Sequence, residues 1–387
     1  MRDNISFFGG DPNNITIAGE SAGAGNVLSL LISPISTGLF HKGILQSGSL
    51  SCRSMAQGEG HAIKKIKQLL INDGTAADGT EAQAILDSWT HAQIETYLRG
   101  KTAQEVLGAY TPYGFGFISV SKHFTDGTVL PSNGMGSLDD GTYPGKVPLI
   151  LGTNLEEIKL FLRYHAYFAP KFDDGSFWTN QVYKDFYKAC ARYGSDFWKV
   201  YDVDTNARKL RSVEGQPDVY AYRFDWGSGP EVGPSISSWY NLALGACHTI
   251  EIPFFFGNET GGMAGTVFKE ENRLGREVLS AAMMAYVANF ARTGDPNGIG
   301  LPAWSPWSNI AGQSKHIILD VDDVTQALAL QMSTVELTKE GVEACMAADR
   351  FCEEIQMVFE NWYSFLSWSV PCAVRSMPWI PLLLIGK

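Results

Sequence analysis

The serine of Gly19-Glu20-Ser21-Ala22-Gly23 is the residue of this chain best placed to act as a nucleophile. A serine hydroxyl is weak in that role until a base takes its proton and a carboxylate orients the base. Its surroundings suit the task. Ile15-Thr16-Ile17-Ala18, running into Gly19, reads as a short buried strand, and Val27, Leu28, Leu30 and Leu31, up to Pro34, read as a helix apolar nearly all round. A G-x-S-x-G between strand and helix is a nucleophile elbow: small neighbours permit a sharp turn that exposes the hydroxyl. The helix N-terminus then aims free N–H groups and a positive dipole at it. Gly and Ser also cluster in ordinary turns, so the same five residues fit a structural loop as well.

If the elbow is used in this way, an acid and then a histidine should follow it in the chain. Val147-Pro148-Leu149-Ile150-Leu151-Gly152 is a continuous apolar run, as expected of a strand buried on both faces of a parallel sheet. Glu156 and Glu157 stand just after it, at the strand's carboxyl end, where chemistry gathers in open α/β sheets. The same pair also suits a solvated helix start. Val219–Phe224 alternates like a strand, and Asp225 at its end is a rival acid. Only His165, His248 and His316 follow Glu157. His165 comes too soon, inside a helical pattern, and His316 begins a strand pattern. His248 lies in the small-residue loop Gly245-Ala246-Cys247-His248, read as following a strand and leading into a buried run Phe254-Phe255-Phe256. Order and context favour it as the base over a satisfied structural histidine.

These residues need a scaffold. Lys42–Gln46 reads as a second strand, ending at Ser47-Gly48-Ser49. Helical spacing over 61–71 and 82–98 predicts two helices within an insertion of about 55–145 over the sheet. Tyr113, Phe115 and Phe117, in a glycine-rich stretch, could wall an apolar substrate pocket or be core aromatics beneath a loop. A long helix is predicted over 271–292, ended by Gly294-Asp295-Pro296, and a last one near 339–362. The tail 363–387 has no clear period.

Composition narrows the class. The 387 residues are 45% apolar and 18% charged, enough for a large interior. Net charge is −11, without the Lys/Arg cluster that would bind nucleic acid or an anionic membrane. There is no Cys-x-x-Cys or His-Glu-x-x-His, so a metal site has no support, and no run is long enough to span a membrane. The six cysteines permit disulfides without requiring them.

Several segments together resemble the type-B carboxylesterase/lipase family, the cholinesterase-like α/β-hydrolases. They are Phe8-Gly9-Gly10-Asp11-Pro12-Asn13, the elbow, Gln46-Ser47-Gly48-Ser49, Leu151-Gly152-Thr153-Asn154, Ala246-Cys247-His248, Glu251-Ile252-Pro253 and Asn289–Asn297. They stand in the family's order and span the chain to about residue 362. The resemblance implies an α/β-hydrolase fold over 1–362, with a mostly parallel central sheet flanked by helices. It implies Ser21 as nucleophile, His248 as general acid/base and Glu157, not Glu156 or Asp225, as the triad acid. Ala22 would supply an oxyanion N–H, with Ser47 and Glu20 supporting the triad. The implied substrates are small carboxylic esters, with no metal or cofactor.

The chain departs from the pattern at two places. Glu156 and Ile158 replace the family's aspartate and glycine on either side of Glu157. More seriously, family members carry a long segment before the elbow, with the first strands and a loop donating two further oxyanion N–H groups. The resemblance thus implies an N-terminally truncated copy, any targeting signal lying upstream of Met1. Such a chain should expose an unpaired strand edge, and loss of one donor costs ~10²–10³ in rate. Two alternatives to an active esterase follow: an impaired fragment, or a non-enzymatic binding module of cholinesterase type.

Overall fold

The computed structural model describes residues 2–359 except 113–117, 119, 121, 229–237, 259 and 261–263. The pocket residues Tyr113, Phe115 and Phe117 and the tail 363–387 therefore lie outside the described residues. Among the described residues there are eight strands: β1 (Thr16–Glu20), β2 (Lys42–Gln46), β3 (Cys52–Arg53), β4 (His123–Phe124), β5 (Leu149–Asn154), β6 (Val219–Phe224), β7 (His316–Leu319) and β8 (Gln331–Ser333). Six form one sheet in the order β1-β2-β5-β6-β7-β8, all parallel except β8, which runs antiparallel to β7.

The central strands β2 and β5 are buried along their whole length, which is why the sequence leading into and along β5 reads as a continuous apolar run. On one face Tyr220, Tyr222, Phe224, Ile317 and Leu319 pack against Leu279, Met283, Tyr286 and Phe290 of the long helix Arg273–Thr293. Another core gathers around the helix Gln181–Lys199, where Phe186, Tyr187, Cys190 and Phe197 meet Ile158, Phe168 and Ile355. Among the described residues β1 is an edge strand, and Ala18 at its middle is exposed.

Residues 51–135 form a separate compact unit. It holds the β3–β4 pair and the helices Met55–Asn72, Gly79–Ser88, His91–Arg99 and Ala103–Gly108 around Leu70, Ala76, Ala82 and Leu86. The single helix expected over 82–98 is two. Trp89 is extended, and Thr90 opens the next helix with a capping box to Gln93, so a local side chain outcompetes continuation. The last helix likewise divides into Lys339–Ala347 and Cys352–Phe359. Phe254-Phe255-Phe256 is one turn of helix, not a buried run: it cannot turn three consecutive side chains inward, and Phe256 is exposed.

Candidate active site

Strand register assembles the site. Glu20, Gln46, Gly152 and Tyr222 lie in one row across β1, β2, β5 and β6, so the residues after them emerge together at the carboxyl edge. Gly152 belongs to that row because the Tyr222 ring fills its side: a β-carbon there would come within 1.9 Å of the ring. The ladder runs one step past the strand ends. Ser21 N–H donates to the Gln46 carbonyl and Ser47 N–H to the Gly152 carbonyl, each at 2.8 Å.

Ser21 occupies the sharp turn expected of it. Its φ is 59°, a left-handed value for a residue with a side chain, and it directly precedes the helix Ala22–Ile32. Close packing enforces the turn. A β-carbon on Gly19 would lie 2.3 Å from the Gly23 carbonyl, and one on Gly48 would lie 2.0 Å from the Ser21 carbonyl oxygen. Ala22 is the first residue of the helix, so its N–H has no intrahelical acceptor.

Two loops bring the acid and the histidine together. Glu157 follows β5 by three residues and is fully buried. Its Oε1 accepts from the Asn154 N–H (2.7 Å) and the Thr153 hydroxyl (3.0 Å), while Oε2 faces His248 Nδ1 at 2.6 Å. The histidine loop is laced to the same segment. Glu156 N–H donates to the Ala246 carbonyl, His248 N–H to the Glu157 carbonyl and Asn154 Nδ2 to the Cys247 carbonyl. This loop follows the short helix Ser238–Ala243, not a strand as its sequence suggested.

The neighbouring acids turn elsewhere. Glu156 pairs with Lys159 at 2.6 Å, and Asp225 forms a two-pronged pair with Arg223 on its own strand. His316 is fully buried on β7 with no hydrogen-bond partner for either ring nitrogen. Ser47 is also fully buried, with φ 52° and its hydroxyl unpartnered.

The free nitrogen of His248 faces Glu20. Nε2 stands 3.1 Å from Oε1, an ionic contact without hydrogen-bond geometry. Burial works against a charged ring here, but Glu157, Glu20 and Glu251 outweigh it and lift the imidazole pKa to about 9. Glu20 is pushed up to about 7 by burial, which the His248 charge opposes and Glu157 reinforces. Sequence reasoning missed three neighbours. Phe161 and Trp198 flank the imidazole with ring centroids 5.3 and 4.9 Å away. Asp202, buried in the π-turn Val200–Asp204, is raised to about 7 by burial despite the Ser49 hydroxyl, with the Glu157 charge adding to the rise and His248 opposing it. No local pattern announces them, since each reads as part of an ordinary helix.

Among the described residues no group of His, Cys, Asp and Glu is arranged to hold a metal ion, and no helix is long and apolar enough to cross a membrane. A mostly parallel sheet with a serine at a strand–helix elbow on its carboxyl edge defines an α/β-hydrolase. The profile of the carboxylesterase family matches residues 1–201 and 176–335, and the chain belongs to that family. It is 29% identical over 333 residues to carboxylesterase 5A of Felis catus, an alignment covering 80% of this chain and 56% of that protein. It is 28% identical to the para-nitrobenzyl esterase of Bacillus subtilis, covering 79% and 59%. The crystal structure of Geobacillus stearothermophilus carboxylesterase EST55 superposes with a TM-score of 0.56 at 26% identity, over 86% of this chain and 64% of that one. The chain thus spans little more than half the length of the curated relatives it matches.

Proposed function

We propose that the chain cleaves carboxylic esters by acyl transfer through Ser21, with His248 as general acid/base and Glu157 orienting the ring. One observation carries this reading. At the sheet edge where Ser21 leaves β1 in a positive-φ turn, a single imidazole is held between two carboxylates, Glu157 and Glu20.

A ring near pKa 9 must give up its Nε2 proton before it can serve as a base, and Glu20, near 7 and in contact with Nε2, is the acceptor beside it. The neutral imidazole then takes the Ser21 hydroxyl proton as Oγ attacks the ester carbonyl. The Ala22 N–H donates to the oxyanion of the tetrahedral intermediate. His248 returns its proton to the departing alkoxide, leaving an acyl-serine and free alcohol. Water, deprotonated by the same ring, adds to the acyl carbonyl. Collapse frees the carboxylic acid and reprotonates Ser21. Glu157 holds the ring in place and stabilises the imidazolium through the 2.6 Å contact.

A second reading, a chain that binds esters but turns them over poorly, is favoured by the edge position of β1. Among the described residues no strand lies beyond it to bring more N–H donors to the oxyanion. One experiment separates the two: treatment with a fluorophosphonate probe, run beside hydrolysis of p-nitrophenyl butyrate. Labelling abolished by Ser21→Ala, together with turnover, supports the esterase. Labelling without turnover supports the second reading, and a folded chain that never labels refutes Ser21 as the nucleophile.

A further inference from the structure

Glu251 opens the Glu251-Ile252-Pro253 motif, and the reading above gives it no role. It is fully buried three residues beyond His248, at the N-cap position of the one-turn helix Ile252–Phe256, and its side chain makes no capping hydrogen bond there. Its Oε2 accepts a 2.5 Å hydrogen bond from Asn154 Nδ2, and its Oε1 has no hydrogen-bond partner. The same Asn154 nitrogen donates to the Cys247 carbonyl at 2.8 Å. A carbonyl can only accept, so this contact fixes which way the amide points. Asn154 is thus a tie bar: its backbone N–H holds Glu157 Oε1, and its side chain holds the histidine loop and Glu251.

A carboxylate at this position would be the third around one imidazole. Glu157 and Glu20 already contact the two ring nitrogens, and the ring carries at most one positive charge. Besides Glu251, Glu157 and Glu20, the polar groups bearing on this point are Asn154, His248, the buried Cys247 thiol and the buried Tyr222 hydroxyl, which approaches from β6. Of these only His248 can offset a negative charge, and Glu157 and Glu20 already engage it. A buried ion without its own counter-charge costs far more than a buried neutral acid.

We propose that Glu251 is a positioning residue of the ester-cleaving site: a neutral carboxylic acid that anchors the Asn154 side chain and so holds Glu157 and the His248 loop together. This deepens the reading of Ser21, Glu157 and His248 and rests on it. The proton sits on Oε1, leaving Oε2 to accept from Asn154. Enclosure and the charges of Glu157 and Glu20 lift the group to about 8, against the pull of Asn154 and His248, so it is uncharged at neutral pH. Above that point the acid ionises. The added negative charge binds the His248 proton more tightly, so fewer rings stand unprotonated and free to take the Ser21 proton.

The test compares Glu251→Gln with Glu251→Ala in the full chain. Glutamine copies the shape of the neutral acid, accepts from Asn154 and cannot ionise. The first readout is the fluorophosphonate labelling rate from pH 6 to 9.5. The second is the proton NMR signal of the His248 Nδ1–H against Glu157, which needs no catalysis. If Glu251 acts as a neutral anchor, the glutamine variant labels within about threefold of the parent at pH 7. The alanine variant loses about tenfold or more, the rate equivalent of a buried hydrogen bond left unmade. Above pH 8 the glutamine variant outpaces the parent, and its Nδ1–H signal lacks the parent's inflection near 8. A glutamine variant as slow as alanine, or one whose Nδ1–H signal changes with pH just as the parent's does, overturns the proposal. If no variant labels at Ser21, the reading of the nucleophile fails, and the Nδ1–H titration still decides for or against Glu251.

Discussion

His248 and Glu157 are joined twice: Nδ1 stands 2.6 Å from Oε2, and the His248 backbone N–H donates to the Glu157 carbonyl at 3.2 Å. The backbone link sets the distance between the two loops, and the side-chain link sets the ring's orientation. Substituting the Glu157 side chain therefore separates these contributions, because the backbone link survives.

Glu157→Gln keeps the shape and removes the charge. The imidazole should then titrate well below its present value of about 9, since Glu157 is the largest of the influences that raise it. Fluorophosphonate labelling of Ser21 should fall by roughly 10²–10⁴, the scale seen when the carboxylate of such a triad is made an amide. Proton NMR titration of the ring and labelling rates at pH 7 check the two effects separately. An unchanged rate would remove Glu157 from the mechanism.

Glu20→Gln acts on the other side of the ring. It also removes a charge that raises the His248 pKa, so the imidazole should again titrate lower, by less than in Glu157→Gln. It also removes the group proposed to take the Nε2 proton. The optimum pH for labelling should move and the maximal rate should drop. A rate that rises at every pH would show that Glu20 only obstructs the ring.

The scaffold was far more legible in the sequence than the polar interior of the site. Val147–Gly152 reads as a strand because β5 is buried on both faces, and the elbow reads as one because Gly19, packed against the Gly23 carbonyl, has no room for a side chain. Glu156 and Glu157 were a different matter. Two adjacent acids carry the same local signal, and only the turn after β5 sends one to Lys159 and the other to His248. Asp225 looked like a rival because it ends a strand, but Arg223, two residues back on the same face, claims it. Glu251 was visible as part of a motif, yet its enclosure depends on Asn154, Tyr222 and Glu157, which tertiary folding brings from distant segments.

Stability should fall as pH rises from 6.5 to 9. Glu20 and Glu251 have folded values of about 7 and 8 against an ordinary 4.5. Between those limits the unfolded chain has shed protons that the folded chain still holds, so the fold weakens as pH climbs. Asp202 and Asp320, both near 7 against 3.8, act in the same sense. His248, raised from 6.5 to about 9, adds a contribution that is complete below 6.5 and is lost as pH passes 9. His316 works oppositely. Burial, with Lys199 and Arg223, depresses it to about 2, so its contribution is lost as pH drops below 6.5. Melting temperatures measured across this range should decline on the alkaline side by several degrees, and Glu251→Gln should flatten the decline. A level or rising curve from 6.5 to 9 would contradict these assignments.

The two glycines of the elbow differ in what they permit, although the motif treats them alike. A β-carbon on Gly19 would meet the Gly23 carbonyl carbon and oxygen at 2.3 Å, and backbone cannot yield as a flexible side chain can. Gly19→Ala must therefore open the turn, at a cost of about 1–3 kcal/mol or more, and move Ser21 away from the histidine. Gly23 lies within the first turn of the helix Ala22–Ile32, without a positive φ, and an added β-carbon there meets nothing within 4 Å. Alanine has the higher helix propensity, so Gly23→Ala should be neutral or stabilise by roughly 0.5–1 kcal/mol. Urea midpoints and fluorophosphonate labelling measured side by side check both. Gly19→Ala should lose stability and labelling together, whereas Gly23→Ala should keep its midpoint or raise it. Equal losses in the two variants would mean that the close approach of Gly19 to the Gly23 carbonyl is not what shapes the elbow.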